Sequence, residues 1–229
     1  MITYAASFGN TTLDKINKYG KREEIGKLLG EMDAISVRDK NSYNIVNELT
    51  GKKPSTNLDP VLMFDYMSSG LVPEIRLKEK YMLLYAYNGR ISKKEAKKIK
   101  EVAVSRGLKL YSIGGAQPYA DKFINCTPFE VLAYFREAEC IVTDTFHGSI
   151  FSIINKKPFV TLVRKSENNS YGNEEKLTYL LESLQLENRV IYDIIDIDSA
   201  LNKTIDYGLT DGIIVKEREN TINYLKSNI

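Results

Sequence analysis

Histidine occurs once in the 229 residues, cysteine twice, and neither sign of charge prevails. Each scarcity excludes something. The two cysteines, Cys126 and Cys140, form no CxxC pair and cannot supply the disulfide framework of a small secreted domain. Their sparing use fits a reducing setting, so a cytoplasmic location is expected, with the inner face of the membrane as the alternative. Lys+Arg 32 against Asp+Glu 30 leaves a net charge of +2, too close to balance for a protein that holds nucleic acid by neutralising phosphates. A small anion gripped by a few placed cations is compatible with that balance. No apolar run approaches the roughly 18 to 20 residues that span a bilayer. The opening MITYAASFGNTT also lacks the basic-then-apolar order of a signal peptide. A lone histidine without a second histidine or a paired cysteine argues against a metal site. What is present, 43% hydrophobic and 27% charged residues, is the composition of a soluble globular chain.

Short β-rich runs alternate with longer amphipathic segments, the pattern of a parallel sheet with crossover helices. The first part reads as a strand over 2–8, a polar loop, a helix over 22–32, a strand over 34–39, a helix over 41–51 ended by Gly51, and a short strand over 58–64. In DYMSSGLVPEIRLKE, 65–79, periodicity lapses and Ser, Gly and Pro cluster, which marks a linker. A second alternating unit follows. Its strands are expected over 80–88, 108–114, 140–145 and 158–164, and its helices over 92–107, 127–139 and 148–156.

Thr127, Pro128 and Glu130 have the order of an N-cap, a proline at the first helical position and a capping box, with Phe129, Leu132, Ala133 and Phe135 expected to face the core. After the polar loop SENNSYGN, 166–173, come a helix over 174–184, a short strand RVIYDI, a helix over 199–208 and a terminal helix over 212–226. The lysines of KKEAKKIK read as a solvated face, because Ala96, Ile99, Val102 and Ala103 form a buried stripe beside them. The domain boundaries implied are 1–70, 71–208 and a terminal helix, 209–229, packing back across the domains.

In open α/β sheets, ligands bind beyond the carboxyl ends of the strands. That rule selects Ser7, Gly9 and Asn10 after the first strand, Arg38 after the second, Gly114 and Gly115 in YSIGGAQ, and Phe146, His147, Gly148 and Ser149 in TDTFHGS. A helix opening at Gly148 and Ser149 would offer free backbone N–H groups to a phosphate or carboxylate. Gly148 would let the ligand approach closely. An imidazole, with an unperturbed pKa of about 6.5, donates or accepts a proton near neutral pH. A turn-capping role for His147 stays open beside this, as does a capping role for Asp144. Arg38 can grip a carboxylate or phosphate with two parallel hydrogen bonds. The alternative is a surface pair with Asp39 or Glu48. Gly114 and Gly115 lack a GxGxxG context and read equally as a tight turn. Asp59-Pro60 reads as structural.

Together, YAASFG, ISVRD, LDPVL, YMLLYAY, TDTFHGSIFSIINKKPFVTL and LLESLQLENRV resemble, in order and spacing, the polysaccharide pyruvyl transferase family, over Tyr4 to about Arg189. The resemblance implies a glycosyltransferase-B-like α/β architecture of two Rossmann-like, doubly wound parallel sheets facing across a cleft. It implies transfer of a pyruvyl group from phosphoenolpyruvate to a saccharide acceptor, with Arg38 as an anion-binding residue, His147 in the active site, and neither cofactor nor metal. Members carry a longer amino-terminal half with a GNxG-type loop. Residues 1–70 therefore correspond to the last part of the first domain, which is expected to be incomplete; a truncated product, and a subunit completed by a homo-oligomer or another partner, are the alternatives. Where members place an arginine ahead of the LL helix, this chain has NEEKLTYLL, with Lys176 the candidate substitute. A nucleotide-sugar glycosyltransferase and a non-catalytic anion-binding or partner-binding remnant are the competing readings.

Overall fold

The computed structural model describes residues 1–164 and 174–229. The polar loop expected over 166–173 lies outside them. The chain divides into two compact units, Met1–Phe64 with Gly208–Ile229, and Asp65–Tyr207.

The first unit contains α1 (Leu13–Lys18), α2 (Arg22–Gly30), β1 (Ser36–Val37), α3 (Lys40–Thr50), β2 (Ser55–Thr56) and α4 (Pro60–Met63). β1 and β2 pair in parallel, Ser36 opposite Ser55 and Val37 opposite Thr56. The strand expected over 2–8 is reduced to two isolated parallel bridges, Ile2 with Ala34 and Ala6 with Val37. Ala5 between them adopts the left-handed region, φ 47°, which breaks the pleat, and its N–H donates to the Ser36 hydroxyl at 3.1 Å. The following loop contains α1, capped by Thr12, and so is not the plain loop expected. The strand expected over 58–64 is also corrected. The pairing strand comes earlier, and Asp59 caps a short helix by accepting the Val61 N–H at 2.9 Å, with Pro60 as its first residue. Gly51 ends α3 at φ 70°, as its sequence position suggests.

The second unit is built on β3 (Tyr81–Tyr85), α5 (Lys93–Ser105), β4 (Lys109–Ile113), β5 (Lys122–Phe123), α6 (Pro128–Glu137), β6 (Cys140–Thr143), α7 (Phe146–Ile154), β7 (Phe159–Leu162), α8 (Glu174–Ser183), β8 (Val190–Ile191) and α9 (Ile197–Leu201). Six strands form one parallel sheet in the order β5-β4-β3-β6-β7-β8. Met82, Leu84, Val142, Val160 and Leu162 pack with Ala96, Ile99 and Val102 of α5 and with Ile197 and Leu201 of α9 on one face. Tyr81 and Tyr85 turn to the other, where Tyr81 donates to the Tyr134 carbonyl at 2.6 Å and Tyr85 meets Phe135 of α6 edge-on. Strands covered on both faces read as continuous apolar runs, which is why YMLLY and CIV show no alternation. The edge strand β5 carries no such signal: both of its residues are exposed.

α6 begins as expected, with Glu130 accepting the Thr127 N–H at 2.7 Å and its hydroxyl at 2.8 Å. Leu132, Ala133 and Phe135 are buried, but Phe129 is 40% exposed, because the second position of the first turn falls outside the buried stripe. The helix expected over 199–208 ends at Leu201, and the terminal helix, α10, runs over Tyr207–Asn228, five residues longer at its start than the sequence suggests. From Gly208 onward it groups with the first unit. There Arg218 donates to the Leu62 carbonyl at 2.7 Å, Tyr224 to the Thr3 carbonyl at 2.8 Å, and the Thr221 hydroxyl accepts the Leu58 N–H at 3.3 Å.

α7 starts two residues before the expected Gly148. Thr145 is its N-cap, accepting the Gly148 N–H at 2.9 Å, so Phe146 and His147 form the first turn. Gly148 is buried against the strand end, where a Cβ would come within 2.1 Å of the Thr143 hydroxyl and 2.7 Å of that of Thr145. Gly148→Ala is therefore expected to cost roughly 1 to 3 kcal/mol through overpacking, measured by chemical denaturation.

Glu95 of α5 completes a capping box with Ser92 and also takes both arms of Arg164, at 3.0 and 3.2 Å. Burial pushes the Glu95 carboxyl up, but the bonds from Arg164 and Ser92 overcome it and hold the group below its ordinary value. The stability this contributes is present above the unfolded-state pKa of glutamate and is lost as pH falls through the lower folded value. Glu95→Gln should thus lower stability at neutral pH and flatten its acid dependence, followed by melting temperature against pH.

Candidate functional site

In the second unit the strand order reverses between β3 and β6, since β4 and β5 lie on one side of β3 and β6, β7 and β8 on the other. Ligands of open parallel sheets bind beyond the carboxyl ends of the strands at such a switch point. The residues there are Tyr85, which ends β3, Ala86 to Asn88 after it, and Asp144 to His147 after β6. Thr143 ties the two strand ends together: its hydroxyl donates to the Tyr85 carbonyl at 2.8 Å. The same oxygen accepts the Thr145 N–H at 3.1 Å and contacts the Thr145 hydroxyl at 3.1 Å.

His147 is half-buried in the first turn of α7. Its ring lies 6.0 Å from that of Phe151, 26° from parallel, and 5.6 Å from Phe146 at 88°. Phe151 in turn meets Tyr85 and Phe135 edge-on, at 6.0 and 5.5 Å. The imidazole is therefore oriented by a ring cluster that draws on β3, α6 and α7, a mode of support favoured by the aromatic quadrupole. Burial, with Tyr87 adding to it, pushes the Tyr85 hydroxyl up to about 12, so it stays protonated at neutral pH.

Asp144 is fully buried directly ahead of the helix. Burial pushes its carboxyl up from the ordinary value, against the opposing pull of Arg90 and Arg164. Arg164 reaches from the end of β7, with its Nε 3.9 Å from an Asp144 oxygen and its fork on Glu95. Charged groups from β6, β7 and α5 thus meet at one end of the sheet. Asp144 does not cap α7, since Thr145 does.

Gly148 and Ser149 have packing roles. The Gly148 N–H is taken by the Thr145 hydroxyl, so it is not the open donor expected. Ser149 is buried, its hydroxyl 2.8 Å from that of Thr161 and 3.2 Å from the Thr145 carbonyl. Of the four candidates in this segment, the half-buried Phe146 and His147 keep accessible side-chain surface. Gly114, at φ 86°, makes the turn after β4, and a Cβ on Gly115 would lie 2.5 Å from the Asn88 N and 2.6 Å from its Oδ1. Gln117 continues this seam by donating to the Ala86 carbonyl at 3.1 Å. The two glycines let the loops after β3 and β4 touch.

Ser7, Gly9, Asn10 and Arg38 belong to the first unit. Ser42 in the first turn of α3 accepts the Phe8 N–H at 2.9 Å, and Asn41 donates to the Thr11 carbonyl at 2.9 Å, which holds the 7–11 loop beside the end of β1. Ser7 accepts the Gly9 N–H at 3.1 Å, Gly9 turns the chain at φ 64°, and Asn10 is exposed, with its carbonyl taking Lys15 at 2.8 Å. Arg38 leaves β1 at this same end, its N–H on the Ala6 carbonyl at 3.2 Å. It pairs with Asp59 after β2, and not with Asp39 or Glu48. Asp39 caps α3 through the Ser42 N–H at 2.8 Å.

Sequence reasoning missed Glu95, Arg164, Phe151 and the Asp59 partner of Arg38. Glu95 three residues after Ser92 carried a capping signal, but nothing local announced its second bond, 69 residues away.

Among solved structures, the glycotransferase of kitacinnamycin matches all of this chain and 70% of its own, at 11% identity and a TM-score of 0.52. A trehalose-6-phosphate synthase matches 96% of this chain and 67% of its own, at 10% identity and a TM-score of 0.51. These likenesses show a glycosyltransferase-B-like α/β fold. No helix of the described residues is long and apolar enough to cross a membrane. No curated protein matches the chain in sequence. The model of one family, polysaccharide pyruvyl transferase, matches residues 1–166, about 70% of the length and inclusive of both Arg38 and the TDTFHGS turn, and the chain belongs to that family.

Proposed function

We propose that the protein transfers a pyruvyl group from phosphoenolpyruvate to a pair of hydroxyls on a cell-surface saccharide or its precursor, leaving a cyclic ketal and inorganic phosphate. The observation that carries this reading is the half-buried His147 at the switch point of a sheet in a chain of this family. Phosphoenolpyruvate bears a carboxylate and a phosphate on a three-carbon frame, so its recognition calls for cations and backbone donors more than for a large apolar pocket. Arg38 is the proposed partner of one of these anions.

In the proposed reaction His147 enters as the imidazolium and delivers its proton to the methylene carbon, converting it to a methyl group. The central carbon gains cationic character and is attacked by the first sugar hydroxyl, which forms the C–O bond and releases its proton to base. Departure of phosphate with its bonding electrons, followed by attack of the second hydroxyl and loss of its proton, closes the ketal. The rings packed against His147 support the proton transfer by limiting how the imidazole can turn. Phosphoenolpyruvate is the activated donor, and the scheme uses neither cofactor nor metal.

Calorimetric titration with phosphoenolpyruvate and, separately, with UDP- and GDP-sugars tests the donor. Phosphoenolpyruvate binding is expected; binding of a nucleotide sugar alone would overturn the reading in favour of a glycosyltransferase. Phosphate release with mannosyl-, glucosyl- or galactosyl-terminated acceptors tests the transfer. His147→Ala should lower kcat by about 100- to 10,000-fold with donor affinity little changed. Activity that survives this substitution removes the general-acid role. Arg38→Ala should weaken donor binding by about 10- to 100-fold, as expected for a lost charge-assisted hydrogen bond.

A further inference from the structure

Asp59 has more to do than cap a four-residue helix. It is 3% exposed, and its two carboxylate oxygens are divided between two tasks. Oδ1 accepts the Val61 N–H at 2.9 Å, and Oδ2 accepts an N–H of Arg38, whose side chain remains 28% exposed. The two residues leave the carboxyl ends of neighbouring parallel strands: Val37 pairs with Thr56, and the Asn57 N–H donates to the Val37 carbonyl at 2.9 Å. Both backbones are held independently of the pair. On the arginine side, the Arg38 N–H is bonded to Ala6; on the aspartate side, Thr221 and Arg218 of α10 bind Leu58 and Leu62. Pro60, which has no N–H, leaves Val61 to take Oδ1. Tyr4 borders the pair, its hydroxyl on the Leu58 carbonyl at 3.3 Å.

A buried carboxylate on a fixed backbone, bonded to a guanidinium whose side chain is 28% exposed, limits how that guanidinium can turn. We propose that Asp59 is a positioning residue that holds the Arg38 fork ready for an anionic donor substrate, acting through Arg38 and touching no substrate itself. The inference rests on the proposed role of Arg38 in phosphoenolpyruvate binding. It gives the LDP segment, which reads as structural, a part in recognition. Asp59→Asn separates the two tasks. The amide oxygen still accepts from Val61, but the amide N–H₂ turned to Arg38 cannot accept from it.

The test is a double-mutant cycle on phosphoenolpyruvate affinity over wild type, Arg38→Ala, Asp59→Asn and the double variant, read by calorimetry. Asp59→Asn is expected to weaken binding at least ~10-fold with kcat at saturation nearly unchanged, because a shift of about 1 Å in a binding group suffices for such a loss. The double variant should bind no worse than Arg38→Ala alone. Unchanged affinity in Asp59→Asn, or losses that add across the cycle, would overturn the inference while leaving Arg38 as a donor contact. Nitrogen relaxation of the Arg38 side chain provides a readout that needs no ligand. A restricted Nε–H in wild type that is released in Asp59→Asn supports positioning even if wild type fails to bind phosphoenolpyruvate, a result that would sink the donor assignment alone. Equal mobility in the two proteins would refute it.

Discussion

The turn from β6 into α7 is closed by two threonine hydroxyls and a glycine, and the position of the single histidine depends on that closure. Thr143 spends its hydroxyl on the end of β3 and on the turn that follows, and Thr145 spends its own on the Gly148 N–H. Both bonds require the helix to lie almost in contact with the strand end. Glycine alone fits there, because any Cβ would fall inside the contact distance of both oxygens. His147, one residue earlier on the helix, is thereby carried to the sheet's switch point. Its ring is then turned by Phe151, whose place in a cluster of Tyr85 and Phe135 is set by the core.

Charge is handled in the same way in the two units. At the sheet end of the second, Asp144 is buried with Arg164 and Arg90 among its neighbours, while Glu95 anchors Arg164 and the start of α5 together. In the first, Asp59 anchors Arg38 and the start of α4 together. In both, one carboxylate serves a helix terminus and an arginine at once. Such an arrangement satisfies a buried charge with several donors, which reduces the desolvation cost that an isolated ion pair would bear. Arg189 shows the costlier alternative: fully buried, it bonds Asn188 and the Lys203 carbonyl, and burial lowers its pKa.

Much of this was legible in the chain. The apolar runs YMLLY and CIVT, the stripe Ala96, Ile99, Val102 and Ala103, the Gly51 stop and the Thr127-Pro128-Glu130 start all encode local geometry, and each reappears in the structure. The failures share a cause. Residues 2–8 have the composition of a strand, but Ala5 turns left-handed to meet Ser36, a contact 31 residues away. Residues 58–64 look extended until the Asp59 carboxylate folds back on Val61. The start of α7 differs from the expected one because a threonine cap three residues ahead of a glycine competes with the glycine itself as the boundary signal.

By itself the sequence determined the family and the alternation of strands and helices, because each depends on short-range pattern and residue order. Only the tertiary structure decided that Gly148 serves packing, that Ser149 faces inward, and that Arg38 is held by Asp59 and Arg164 by Glu95. Those outcomes turn on which side chains of distant strands end up side by side, and register between parallel strands is set by the packing of the whole sheet, a property that no local run of residues contains.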